Sequence, residues 1–296
     1  MEGMEWVDGG TFRMGSDEFY PEERPAHTTT TGGFWMDRTP VTNAQFARFT
    51  GATGYVTVAE RTPSPADYPD VDPALLQAGS LVFTAPRRAV DLRDPRGWWR
   101  YVAGANWQLP EGPGSDLQGR EDHPVVHVAF EDALAYAQWA GKDLPSEREW
   151  EFAAKGGCDA RYAWGDEFTP GGSYLANTWQ GRFPHENLAL DGYRGTSPVG
   201  SYPANPFGLS DLIGNVWEWC RDDFGPHGEG EGQPNCCTPR SAGDATGSGA
   251  EERKVIKGGS HLCAANYCRR YRPAARQGQE VTSSTGHLGF RCVKRP

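Results

Sequence analysis

Apolar residues fall in short bursts along this chain, separated by polar stretches rich in glycine and proline. Gly9-Gly10-Thr11-Phe12-Arg13-Met14-Gly15 reads as a strand between glycine turns, and Phe34-Trp35-Met36-Asp37 as a second short strand. Thr42-Asn43-Ala44-Gln45 has the Ser/Thr-x-x-Glu/Gln form of a capping box. It predicts a helix running to about Phe49 and closed by Gly51 and Gly54. Residues 124–130 alternate like a strand, after which Ala133, Leu134, Ala137, Trp139 and Ala140 recur at helical spacing. A second box, Ser146-Glu147-Arg148-Glu149, opens a helix that carries Trp150, Phe152 and Ala153 and stops at Gly156-Gly157. Short strands are expected at Val255-Ile256 and over 288–293.

Residues 62–122 show weak periodicity and many prolines, glycines and aspartates, and read as long loops on a scaffold. Such loops are functional or disordered. Trp98-Trp99 and Trp107, beside Pro110-Glu111-Gly112-Pro113, favour the first. Residues 225–252 read as a mobile surface loop. With no internal repeat and no clear linker, the expectation is one domain over 1–296.

Composition sharpens this picture. With 38 Gly, 23 Pro and 11 Trp, the chain should be a loop-rich globule in which aromatic rings supply much of the buried area. No apolar run approaches the roughly 18 residues of a membrane span. The acidic first ten residues lack the basic and apolar regions of a signal peptide, so a cytoplasmic protein is expected, with a monomer as the default. A net charge of −10 repels phosphate backbones and makes nucleic acid a poor partner. Arg269, Arg270, Arg272, Arg276 and Arg291 nevertheless crowd the end of the chain, and by themselves read as a solvated basic face.

Chemistry concentrates in that same region. There are seven cysteines: Cys158, Cys220, Cys236, Cys237, Cys263, Cys268 and Cys292. The number is odd and no zinc-finger spacing occurs, so neither a disulfide framework nor a structural zinc is the default. Cys236 and Cys237 lie in the loop-like stretch without ligand-like surroundings. Cys263 and Cys268 differ, because Gly258-Gly259 precede them and arginines follow. A Cys-x4-Cys spacing can bring two sulfurs together across a turn. Paired thiolates suit Cu(I), and neighbouring arginines favour thiolate over thiol. Spacing alone leaves a structural disulfide and two unrelated buried thiols equally open.

At Lys257-Gly258-Gly259-Ser260-His261-Leu262-Cys263-Ala264-Ala265-Asn266-Tyr267-Cys268-Arg269-Arg270-Tyr271-Arg272 the chain resembles the formylglycine-generating, sulfatase-modifying enzymes of cytoplasmic prokaryotic type. The likeness extends over Gly9 to Gly15, Val41-Thr42-Asn43-Ala44-Gln45-Phe46, Thr53-Gly54-Tyr55-Val56, His123-Pro124-Val125-Val126-His127-Val128, Gly214-Asn215-Val216-Trp217-Glu218-Trp219 and Gly289-Phe290-Arg291-Cys292. The resemblance implies a mixed α/β variant of the C-type-lectin-like fold with little regular secondary structure. It implies that Cys263 and Cys268 bind Cu(I), and that O2 oxidises a substrate cysteine to Cα-formylglycine. The implied partner is an unfolded sulfatase segment bearing Cys-x-Pro-x-Arg. Ser260, Tyr267 and Trp217 fall where the family lines its oxygen and substrate pocket; without the resemblance they read as a turn hydroxyl and core aromatics.

Two structural calcium sites are implied by position. One uses Asn177 and Asp191 with the carbonyls of Thr178 and Tyr193. The other uses Asp211 and Glu218 with the carbonyls of Gly214 and Val216, Asp211 standing where asparagine is usual. Secreted relatives carry bracing cysteines where this chain has Ala137, Ala154 and Pro273, which implies a free Cys292. The groove segment 277–287 departs from the usual Asn-Thr-Pro-Asp-Ser-Ser-like run, so chemistry is better specified than substrate. A non-catalytic binding module is the first alternative. A non-haem iron sulfoxide synthase is the second, but His27, His123, His127, His185, His227, His261 and His287 form no iron-ligand pattern, and Pro124 removes helical geometry from His123 and His127.

Overall fold

Local hydrogen-bonding chemistry sets the three helices in the computed structural model, which describes residues 2–66, 69–227 and 252–296. In α1 (Asn43–Thr53) the Gln45 amide N–H donates to the Thr42 hydroxyl, and the Thr42 N–H donates to the Gln45 side chain at 2.9 Å. The helix passes through Gly51 and ends at Gly54, which is left-handed at φ 69°. Gly51 is exposed, so its cost of about 1 kcal/mol is outweighed by the burial of Phe46 and Phe49 on the other face. The expected end near Phe49 is therefore one turn short. In α2 (Phe130–Trp139) Asp132 caps the Ala129 N–H, and in α3 (Glu147–Lys155) Ser146 and Glu149 form the anticipated box, closed by Gly156 at φ 60°.

The strands are short. They are β1 (Met4–Val7), β2 (Gly10–Met14), β3 (His27–Thr31), β4 (Phe34–Asp37), β5 (Gly79–Phe83), β6 (Trp99–Ala103), β7 (Trp217–Asp223), β8 (Arg253–Lys257), β9 (Arg276–Glu280), β10 (Leu288–Gly289) and β11 (Val293–Lys294). They form a four-stranded sheet in the order β10-β7-β8-β9, a three-stranded sheet β1-β4-β11, and two hairpins, β2-β3 and β5-β6. The strand expected over 288–293 is thus divided between two sheets.

Two further expectations fail. Residues 124–130 form no strand: Val125 N–H donates to Val41, His127 N–H donates to Thr285, and His127 itself is left-handed at φ 59°. Val125, Val126, His127, Val128 and Ala129 are all buried, so the alternation reflects burial on every side rather than one sheet face. Residues 62–122 are not loops throughout, since they contain the β5-β6 hairpin with Gly79 opposite Ala103 and Phe83 opposite Trp99. Of the loop expected at 225–252, only 225–227 and 252 lie among the described residues; Cys236 and Cys237 lie outside them.

Aromatic rings do build the core. Phe46 meets Phe49, Trp107, Tyr136 and Phe290 at centroid separations of 5.3 to 6.3 Å. The arginines overturn the solvated-face reading. Arg272, Arg276 and Arg291 are buried, and each forks onto a buried glutamate: Glu23, Glu147 and Glu218 respectively. Burial opposes ionisation of Glu147, but Lys257, His227 and Arg276 outweigh it and hold its carboxyl well below the usual range. These pairs lock the end of the chain onto the N-terminal hairpin, α3 and β7.

Candidate active site

The thiol pair is made by one tight turn after β8. Gly258 and Gly259 leave the strand at φ 93° and 72°. A Cβ on Gly259 would lie 2.8 Å from the Arg270 carbonyl, so only glycine lets the entering backbone pack against the chain that follows Cys268. Cys263 N–H donates to the Ser260 carbonyl at 2.9 Å, and Cys268 N–H donates to the Ala264 carbonyl at 2.8 Å. The two sulfurs come to rest 3.4 Å apart, both buried. That separation far exceeds a disulfide bond of about 2.05 Å, and both thiols are free.

The two sulfurs are inequivalent. Burial pushes the Cys263 thiol up, reinforced by donation of its proton to Cys268. Cys268 is drawn down by that hydrogen bond, against burial, with help from the Arg270 guanidinium 3.8 Å from Sγ. Of the five clustered arginines, Arg270 is the one given this contact; Arg269 is exposed, and the other three are engaged with glutamates.

The pair sits at the base of a cleft of about 290 Å³. Trp98, Trp99, Phe183 and Trp217 form its apolar walls. Trp217, at the start of β7, serves both as core and as cleft wall. Ser260 lines the cleft beside the sulfurs; its N–H points at Cys263 Sγ (3.4 Å) and its Oγ accepts the Leu262 N–H. Tyr267 stands 41% exposed at the mouth, stacked on Phe183 at 4.6 Å, so it is no core aromatic. Thus the structure brings Cys263, Cys268, Ser260, Tyr267 and Trp217 together.

The sequence missed Trp98, Phe183 and His287 as cleft residues. Paired tryptophans in a polar stretch were the available signal for the first; the other two had none. His287 packs on Trp99 at 4.8 Å and shares a hydrogen bond with the Thr285 hydroxyl. Burial, then His261 and His127, push its pKa to about 3, so the ring is neutral at physiological pH. Gln277 and Gln279 of β9 face the same space. A larger polar cleft of about 610 Å³ lies between Arg13, Lys155, Arg161 and Arg272, but it holds no cysteine. Chemistry rather than size selects the smaller one.

Among the described residues no three His, Cys, Asp or Glu side chains converge on a metal position. Copper would therefore rest on the two thiolates, which fit a soft monovalent ion. Calcium would rest on carbonyl and amide oxygens. The first predicted set has an opening for it: Asn177 Nδ2 donates to the Gly195 carbonyl, leaving Oδ1 buried with no protein partner. Asp191 accepts the Thr178 and Tyr193 N–H groups, so all four residues converge. In the second set, burial pushes Asp211 up to about 6, a cost a cation would relieve. Glu218, however, already accepts Arg291 on both oxygens and Trp150 Nε1 on one, so an ion there would share it. Both sets adjoin the thiol turn. Trp179 N–H donates to the Cys263 carbonyl, and Asn215 bonds both Asn177 and His261.

The family model of the sulfatase-modifying factor enzyme 1-like domain matches residues 1–296. A formylglycine-generating enzyme of Mycobacterium tuberculosis is 56% identical over 291 residues, 98% of this chain and 97% of the relative. Another, from Streptomyces coelicolor, is 49% identical over 294 residues, 97% of this chain and 87% of the relative. Among solved structures, PvdO from Pseudomonas aeruginosa superposes with a TM-score of 0.65 at 24% identity, covering 99% of this chain and 94% of PvdO, a likeness of fold alone.

Proposed function

Because the chain belongs to the family of formylglycine-generating, sulfatase-modifying enzymes, we propose that it converts a cysteine of a target sulfatase to Cα-formylglycine and so activates that sulfatase. Its fold is the family's variant of the C-type-lectin-like fold. The substrate is an unfolded segment bearing Cys-x-Pro-x-Arg, and the oxidant is O2. The substrate side chain loses its sulfur and two hydrogens and gains one oxygen.

Cu(I) held by Cys263 and Cys268 would supply the redox chemistry that lets O2 act on a thiol. The remaining work falls to side chains. Arg270 steadies negative charge on Cys268, and burial shields both sulfurs from bulk water. Trp98, Trp99 and Phe183 seat the apolar atoms of an extended peptide and displace water. Ser260 at the base and Tyr267 at the mouth offer hydroxyls for orienting oxygen and peptide. Neutral His287 offers hydrogen bonding without carrying a proton at physiological pH. The chain acts as a monomer in the cytoplasm, where buried Cys220 and Cys292 stay reduced.

The observation that carries this proposal is the free, buried, inequivalent thiol pair at the base of an aromatic cleft. The test is to incubate copper-loaded protein with a Cys-x-Pro-x-Arg peptide under O2 and follow peptide mass. Conversion to the aldehyde is expected; no conversion of any such peptide sinks the proposal.

The orphaned Asn177 oxygen motivates a second expectation. Calcium at the first set pins the loop whose Trp179 N–H holds the Cys263 carbonyl. Chelation should lower Tm by about 5 °C, with Ca2+ restoring it and equimolar Mg2+ failing to. Asn177→Ala should shrink the shift. An unchanged Tm on chelation, with calcium absent by elemental analysis beforehand, rejects the site.

A further inference from the structure

The segment 19–23 approaches the thiol turn from the opposite end of the chain. The Tyr20 hydroxyl accepts the Arg269 N–H at 3.0 Å, and that amide belongs to the peptide immediately after Cys268. The Tyr20 ring lies beneath the Arg270 guanidinium, 3.9 Å from Cζ to centroid. Glu22 takes Arg270 Nε at 3.1 Å and also Nη2, leaving Nη1 directed at Cys268 Sγ. Tyr20 therefore touches the backbone on one side of the sulfur and supports the cation on the other.

The segment is itself rigidly tied. Ser16 N–H donates to the Glu23 carbonyl, and Glu23 N–H donates to the Tyr20 carbonyl. Glu23 is fully buried and forks onto Arg272, whose guanidinium lies 3.7 Å from the Phe19 centroid. Phe19 and Glu23 thus anchor the strap to Arg272, whereas Tyr20 and Glu22 act on the two residues next to Cys268. Side chains that orient a metal ligand without touching the metal commonly govern affinity by 10- to 100-fold.

We propose that Tyr20 is a positioning residue of the thiol pair, fixing the Cys268 backbone through the Arg269 amide and holding Arg270 against Sγ through its ring. This rests on the proposal that the pair binds Cu(I), but its first readout does not. Tyr20→Phe removes only the hydroxyl and Tyr20→Leu the ring as well, while Phe19→Leu loosens the strap at Arg272 alone.

In copper-free protein, amide hydrogen exchange over 264–272 should accelerate in Tyr20→Phe and further in Tyr20→Leu. Cu(I) affinity, measured by chelator competition, should fall about tenfold in Tyr20→Phe. kcat should fall with KM for the peptide unchanged, because the cleft walls are intact. Phe19→Leu should lower Tm yet keep wild-type copper affinity. Wild-type exchange in Tyr20→Phe overturns the proposal, as does a Phe19→Leu protein that loses copper equally. If the wild type itself holds no copper, the metal assignment falls, and the exchange data still decide the role of Tyr20.

Discussion

Cys268→Ser abolishes Cu(I) binding and peptide conversion, and Cys263→Ser does the same, with turnover falling at least about 10³-fold in each because the two sulfurs act as a unit. The serine oxygen is nearly isosteric, so each variant should fold, and near-wild-type circular dichroism is the control. The variants should differ in residual thiol chemistry. Cys263 left alone is a buried thiol with its pKa pushed up, and should alkylate slowly. Cys268 left alone loses the thiol that donates to it but keeps Arg270 at 3.8 Å, and should alkylate faster than Cys263 at the same pH. In copper-free wild type, Cys268 should react first. Copper retained at full stoichiometry by either single variant would remove the pair from the metal site. Equal alkylation of the two sulfurs would show that their environments do not differ as the geometry requires.

What could be read from the sequence, and what could not, divides by distance along the chain. The boxes at Thr42 and Ser146 were legible because every partner lies within three residues. The thiol pair was legible as a candidate for the same reason, its members being five residues apart, and the family likeness made it specific. His127 shows the opposite case. Its segment alternates, yet its hydrogen bonds run to Thr285, Ser80 and Pro110, so no local pattern announces that the backbone abandons the strand. The cleft walls come from β6, the turn at Phe183, β7, β9 and His287, which meet only in three dimensions. Tyr20 and Glu22 were invisible for that reason. Their partners Arg269 and Arg270 lie 249 and 248 residues away. A run of arginines reads as a solvated face until the buried glutamates that neutralise it are seen.

Arg291→Met tests that last point and should give the largest loss of stability. Arg291 is fully buried, and its guanidinium makes five hydrogen bonds: two to the Glu218 carboxylate at 2.7 and 2.8 Å, and one each to the carbonyls of Asp37, Arg38 and Ser210. Methionine fills comparable volume, so cavity formation contributes little. What remains is a buried carboxylate with only Trp150 Nε1 among its former donors, and three carbonyls that lose one donor each. Removing one partner of a buried pair costs about 3–5 kcal/mol. In a chain of this size that is a Tm drop on the order of 10 °C. Glu218→Gln combined with Arg291→Met removes the uncompensated charge and should recover part of the loss. A surface arginine would show a change within about 0.5 kcal/mol, and that result would return Arg291 to the solvated face. The same residue bears on calcium, because Arg291 occupies Glu218. If Glu218 helps hold an ion, Arg291→Met should bind calcium more tightly at the second set while the protein unfolds at lower temperature. An unchanged calcium affinity in the variant would assign Glu218 to the core alone and leave the first set, with the open Asn177 oxygen, as the position that stiffens the thiol turn.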